Sequence, residues 1–156
     1  MATIEESIEV EVPVSTAYNQ WTQFEKFPRF MEGVEEVEQK DDTHLHWVVS
    51  HGGHRHEWNA EIVEQVPDDR VAWRSTDGKG NAGVVTFHRI DDARTKVMVQ
   101  IDWEVEGMVE ELGSMIGSDS RRVRSDLERF KEMIERRGHE TGAWRAEVGR
   151  DETAQS

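Results

Sequence analysis

The sequence predicts an α+β domain in which a curved antiparallel sheet of seven strands wraps a long C-terminal helix. Three observations carry this. Residues 34–104 contain run after run of alternating apolar and polar residues, parted by short turns rich in Gly, Pro or Asp. A further alternating run at residues 3–12 precedes them. From about 108 to 137 the apolar spacing changes from two to three and four, the period of an amphipathic helix. Consecutive strands with short connections form an antiparallel meander. The chain of 156 residues fits one core. It divides into a domain over residues 1–138 and a polar tail over 139–156, in which Trp144 is a candidate anchor back onto the domain and residues 150–156 are expected to be disordered.

In the first run, Ile4, Ile8, Val10 and Val12 share one face with Glu6, and Glu5, Ser7, Glu9 and Glu11 take the other. Pro13 ends the strand. Ser15 or Thr16 is then expected to cap a short helix with Val14, Ala17, Tyr18 and Trp21 at helical spacing. Phe24, Phe27, Phe30 and Met31 follow around Pro28, which limits any helix there to short pieces and leaves residues 24–31 as a candidate lid.

The strands come next. Val34 to Lys40 turns at Asp41-Asp42 into His44 to His51, with Leu45, Trp47 and Val49 on one face. Gly52-Gly53 is a hairpin turn into His54 to Gln65, where His56, Trp58, Ala60 and Ile62 share a face. Pro67-Asp68-Asp69 turns into Val71 to Thr76, and a glycine-rich turn follows. Val84 to Ile90 and Thr95 to Glu104 form the last pair, with Val97, Val99, Ile101 and Trp103 alternating.

In the helix, Val109, Leu112, Ile116, Val123, Leu127, Phe130 and Ile134 form the apolar stripe, and Gly138 is the C-terminal stop. The stripe has a gap at Asp119 and Ser120 beside Gly117. Polar residues on such a seam need water, a partner or a ligand. Otherwise the helix is less buried there, or breaks at Gly117. The Arg121, Arg122 and Arg124 cluster is expected to pair with acids across helix turns.

Composition removes several functions. There is no Cys, so disulfides, thiolate chemistry and Cys-based metal sites are excluded. A net charge of −14 disfavours nucleic acid and anionic membrane surfaces. Residues 1–12 lack the basic and apolar regions of a signal peptide, and no stretch approaches the roughly 20 apolar residues of a membrane span. A cytoplasmic location without a cofactor is the expectation.

One helix covers only part of a seven-stranded sheet, so the remaining concave surface is filled by side chains or left as a pocket. Small residues such as Ala60, Ala72, Ala82 and Gly83 leave room, and large aromatics such as Trp47, Trp58 and Trp73 supply walls. The expected lining is Trp58, Trp73, Phe87, Val99, Ile101 and Trp103 from strands, and Leu112, Ile116 and Ser120 from the helix. Such a pocket suits an apolar small molecule, as partner, better than chemistry.

Several segments have a familiar order and spacing. They are Val10 to Trp21 (VEVPVSTAYNQW), Phe24 to Met31 (FEKFPRFM), Trp58 to Ile62 (WNAEI), Pro67 to Arg74 (PDDRVAWR), Leu127 to Lys131 (LERFK) and Thr141 to Arg145 (TGAWR). Together they resemble the START-like superfamily, also called SRPBCC, over about residues 3–145. More narrowly they are similar to its polyketide cyclase/dehydrase and lipid-transport branch, near coenzyme Q-binding proteins. The resemblance implies a helix-grip fold with a cavity between sheet and C-terminal helix. It implies carriage of a lipid, an isoprenoid quinone or an aromatic polyketide, or else cyclisation or dehydration of a polyketide-like substrate. The matching segments are structural, so no catalytic residue carries over. A domain without ligand, acting on a protein partner, is the third reading.

Two other groups of residues invite a site. His44, His46, His51, His54 and His56 crowd one hairpin, but their spacing matches no metal motif and they read as an exposed tip. Catalysis would need acid–base groups in the pocket, with Tyr18, Arg74, His88, Asp119 and Ser120 as candidates. Among them there is no nucleophile–base–orienter set. The dyads Glu35-Glu36, Asp41-Asp42, Asp68-Asp69 and Asp91-Asp92 lack a calcium-loop pattern and read as solvated turns.

Overall fold

The structure, a computed structural model, describes residues 2–31, 34–51, 54–76, 81–103, 109–146 and 148; side chains are described for these except at 2, 51, 54, 56, 81, 103 and 109–120. The elements run β1 (Ala2–Val10), α1 (Val14–Trp21), a 3-10 helix (Phe24–Arg29), β2 (Val34–Gln39), β3 (His44–His51), β4 (His54–Val66), β5 (Arg70–Ser75), β6 (Asn81–Asp91), β7 (Arg94–Trp103) and α2 (Val109–Arg137). The seven strands form one antiparallel sheet in the order β1-β7-β6-β5-β4-β3-β2, so the meander from β2 to β7 is capped by β1 on its far edge. Register shifts at Val34/Glu36, Ile62/Glu64 and Arg89/Asp91 mark bulges, the usual means of bending a sheet.

The alternation read from the sequence sets the faces. Ile4 opposes Ile101, which opposes Gly83, which opposes Trp73, which opposes Ile62. Across the other hairpin, Trp47 opposes Trp58 and Leu45 opposes Ala60. All of these share the face that packs towards the helices. Glu5, Glu9, Lys96, His88, Arg74, Glu61, His44 and His46 alternate with them onto the opposite, convex side.

The helix α1 starts at Val14 with Pro13 as the preceding residue, and no side chain caps it. The expected cap at Ser15 or Thr16 is therefore corrected. Pro13 already supplies the first carbonyl, to Ala17 N at 3.1 Å, so both hydroxyl residues fall inside the first turn. Pro28 sits inside the 3-10 helix, a short piece that tolerates it.

Helix α2 runs unbroken through Gly117, so a break there is also corrected. It lies along β1 and is tied to it by polar bonds. Lys131 Nζ donates to Glu9 O at 3.0 Å, and Glu11 N donates to Glu135 Oε2 at 2.7 Å. Arg124 pairs with Glu6 at 3.3 Å, and Arg122 Nη1 donates to Ser50 O of β3 at 3.3 Å. These two arginines thus reach β1 and β3, near opposite edges of the sheet. Among the described residues no helix is long and apolar enough to cross a membrane.

Candidate functional site

Burial on the concave face changes from one end to the other. At the α1 end, Val71, Val85, Phe87, Val97, Leu127, Phe130 and Ile134 are all at most 5% exposed. Here Trp21 contacts Phe27, Phe30, Phe87 and Phe130 with ring centroids 5.0–6.4 Å apart, within the range of favourable aromatic pairs. Phe24, Phe27 and Phe30 of the 3-10 segment are buried in this packing, so three aromatic anchors fasten the candidate lid.

At the other end the concave side chains are half-buried: Trp47, Val49, Trp58, Trp73, Ile101 and Val123. Trp47 and Trp58, opposed across β3 and β4, stack at 6.2 Å with planes 7° apart. Phe27 leans on Trp47 at 5.7 Å and joins the two regions. Trp73 lies against Gly83. A Cβ at Gly83 would stand 2.4 Å from Trp73 Cζ2 and 2.8 Å from Gln100 O, so only glycine admits the indole in this place. The indole N–H of Trp47 is buried with no acceptor among the described residues. The result is an aromatic wall that ends partly uncovered, with one unused donor in it.

Three of the nine expected lining residues, Trp58, Trp73 and Ile101, stand on this half-buried surface. Phe87 and Val99 stand deeper, each 5% exposed, and Phe87 meets Tyr18 edge-on at 5.5 Å. The side chains of Trp103, Leu112, Ile116 and Ser120 lie outside the described residues.

The titratable candidates are dispersed. Tyr18 is sealed in the core at 0% exposure. Arg74 is on the convex face, paired with Glu61 at 3.2 Å. His88 is exposed on that face and shares a hydrogen bond with Thr86 at 2.9 Å. Glu6 does stand on the concave face, but Arg124 neutralises it. The side chain of Asp119 lies outside the described residues.

Of the hairpin histidines, the described side chains His44 and His46 each take their own partners. His44 pairs with Asp41 at 2.9 Å, and His46 sits between Asn59 at 2.9 Å and Glu57 at 3.0 Å. The hydrogen bond to Asn59, then that to Glu57, raises the His46 pKa above the usual histidine value. The side chains of His51, His54 and His56 lie outside the described residues. Among the described residues no three His, Cys, Asp or Glu are placed to hold a metal. A groove of about 490 Å3 opens between Lys40, Asp41, His44 and Asn59. Its exposed polar rim suits water better than an apolar ligand.

Sequence reasoning offered Trp144 as an anchor for the tail but missed the other bonds that hold residues 139–146 and Val148. This strap returns across α1. Asn19 Nδ2 donates to Glu140 at 2.7 Å, Thr141 N donates to Gln20 Oε1 at 2.8 Å, and Trp144 N donates to Thr22 Oγ1 at 3.1 Å. Arg145 donates to Asn19 Oδ1 at 2.6 Å and to Asp68 Oδ2 at 2.8 Å, and its guanidinium lies 5.5 Å from the Tyr18 ring centre. Val148 pairs its backbone with Gln65, beyond the reach of β3. Asp68 is thus an anchor instead of a merely solvated turn residue. The available signal was polar Asn19, Gln20 and Thr22 on a short helix: they are at most 8% exposed, and something had to cover them.

The comparisons with known proteins agree with this architecture. The sequence profile for polyketide cyclase / dehydrase and lipid transport matches residues 10–132. A 17.2 kDa protein from the melC2-rnhH intergenic region of Streptomyces lincolnensis is 57% identical over 149 residues, covering 95% of this chain and 99% of that protein. A crystal structure from Deinococcus radiodurans superposes with a TM-score of 0.69 at 26% identity, covering 86% of this chain and 98% of the other. The Zhui aromatase/cyclase from Streptomyces sp. R1128 superposes with a TM-score of 0.72 at 14% identity, covering 92% and 99%, a likeness of fold alone. With more than half its length inside the matching profile, and with the half-barrel and helix that the START-like neighbours share, this chain belongs to the polyketide cyclase/dehydrase and lipid transport family.

Proposed function

We propose that the chain binds a hydrophobic small molecule, flat in at least one part, against the tryptophan end of the concave face. The observation that carries this is the half-burial of Trp47, Trp58 and Trp73 on the face whose other end is fully packed. Large aromatic rings left partly uncovered inside a fold gain about 25 cal/mol for each Å2 that a ligand removes from water. A stacked pair offers a planar platform that an aromatic or quinonoid ring or a lipid chain can extend. Lipids, isoprenoid quinones and aromatic polyketides all fit this chemistry. Carriage is favoured over cyclisation because the described titratable candidates face away, are sealed, or are already paired. A location in the cytoplasm is part of this proposal.

The test is titration with N-phenyl-1-naphthylamine, a neutral probe that fluoresces on leaving water. Wild type is expected to bind it saturably, and Trp58→Ala about tenfold more weakly, the loss of one stacked aromatic contact. Equal affinity in a folded Trp58→Ala variant would remove the tryptophan platform from the site.

A further inference from the structure

We infer that residues 139–146, together with Val148, form a releasable latch, which fastens α1 to the turn between β4 and β5 and so holds the α1 end of the concave face closed. The latch controls access only if a ligand enters there, and to that extent it rests on the function proposed above.

The argument begins with the kind of bond. The core elements are held by apolar packing, which water cannot replace. Beyond a partly buried apolar contact of Val148 with the core, the strap is held by hydrogen bonds with Asn19, Gln20 and Thr22, by the Arg145–Asp68 pair and by the Val148–Gln65 backbone pair. Water can take over every one of those polar partners, so detachment exchanges bonds instead of losing them. Glu140, Thr141 and Trp144 approach α1 itself, while Arg145 bridges α1 and the turn, so one side chain joins two elements that are distant in sequence.

The closed state also carries costs. Among the described residues, Gln65, 1% exposed, has both amide atoms buried without a partner, beside the backbone bridge to Val148. Asp68 Oδ1 is likewise buried and unpaired while Oδ2 takes Arg145. Asp68 holds φ at 61°, the left-handed region that a non-glycine residue adopts at a cost. Rehydration of these groups and relaxation of the turn favour release, and the strap bonds oppose it. A contact balanced in this way is suited to opening while the sheet stays intact.

The experiment is hydrogen–deuterium exchange on the full chain, on Arg145→Ala and on Asn19→Ala, with a chain ending after Gly138 as the complete removal. The amides of α1 are expected to exchange about tenfold faster in the point variants, the effect of losing one or two charge-assisted bonds. Those of β6 and β7 are expected to be unchanged. Unchanged exchange in α1 would overturn the latch, as would an equal acceleration of α1, β6 and β7, which would make the strap a general stabiliser. If the shortened chain fails to fold, the point variants decide. Uptake of N-phenyl-1-naphthylamine, followed by stopped flow, is expected to speed up with α1 exchange. A wild-type protein that binds none of the probe would defeat the ligand proposal, while the exchange data would still decide the latch.

Discussion

The two ends of the concave face are built from similar residues and are finished differently. Both are rich in aromatics. At the α1 end, Trp21, Phe24, Phe27 and Phe30 close on Phe87 and Phe130 until little surface is left. At the other end, Trp47, Trp58 and Trp73 have partners on one side and remain half-buried. Aromatic content therefore does not distinguish a core from a binding wall in this fold. Among the described side chains, what distinguishes them is how far a second element packs over the rings. The α1 segment and the C-terminal turns of α2 cover the first group. Gly83, by its missing side chain, lets Trp73 lie along the sheet in the second.

The sharpest way to break this contrast is truncation at each end. Phe130→Ala is expected to cost about 3–5 kcal/mol of stability in chemical denaturation, because a fully buried ring leaves a cavity that its neighbours cannot fill. Trp58→Ala is expected to cost about half as much, since part of its surface is already wet. Equal losses would mean that the tryptophan end is ordinary core.

Gly83→Val sharpens the account of Trp73. The added methyls have no room, and the indole must leave its place. Destabilisation of about 1–3 kcal/mol is expected, with a change in tryptophan fluorescence reporting the displaced ring. An unaltered spectrum would contradict the packing described.

The smallest effect belongs to the convex face, at the partly solvated His46. His46 has its pKa raised in the folded state by Asn59 and Glu57. Its contribution to stability is therefore fully present below the unfolded value near 6.5 and is lost as pH rises through the folded value. His46 is partly solvated, so the difference between wild type and His46→Gln is expected to be about 0.5 kcal/mol at pH 5.5, shrinking by pH 8.5. Denaturation curves at both pH values measure it.

Much of the architecture was legible because period-two alternation is a direct consequence of strand geometry. Leu45, Trp47, Trp58, Ala60, Ile62, Val97, Val99 and Ile101 could be assigned to one surface from spacing alone. The site was legible only in part. Phe87 and Val99 alternate in the same way as Ile101, but how deeply each is covered depends on where α1 lands, which is a tertiary fact. The strap was illegible for a related reason. Its bonds join residues 77 or more positions apart, and nothing local marks Glu140 as the partner of Asn19 or Arg145 as the partner of Asp68. Arg122 and Arg124 also have partners that helix spacing could not offer, Ser50 O and Glu6 of the sheet.

The central claim is that the tryptophan end takes up an apolar molecule. Its most direct test is native mass spectrometry of the protein purified from its own host, followed by denaturation and identification of whatever is released. A one-to-one adduct with a lipid, quinone or aromatic compound is expected, and it should be lost when Trp58 and Trp73 are both replaced by alanine in a protein that still folds. A bare protein that also ignores a panel of such compounds would contradict the claim and point to the convex, acidic surface as the working face.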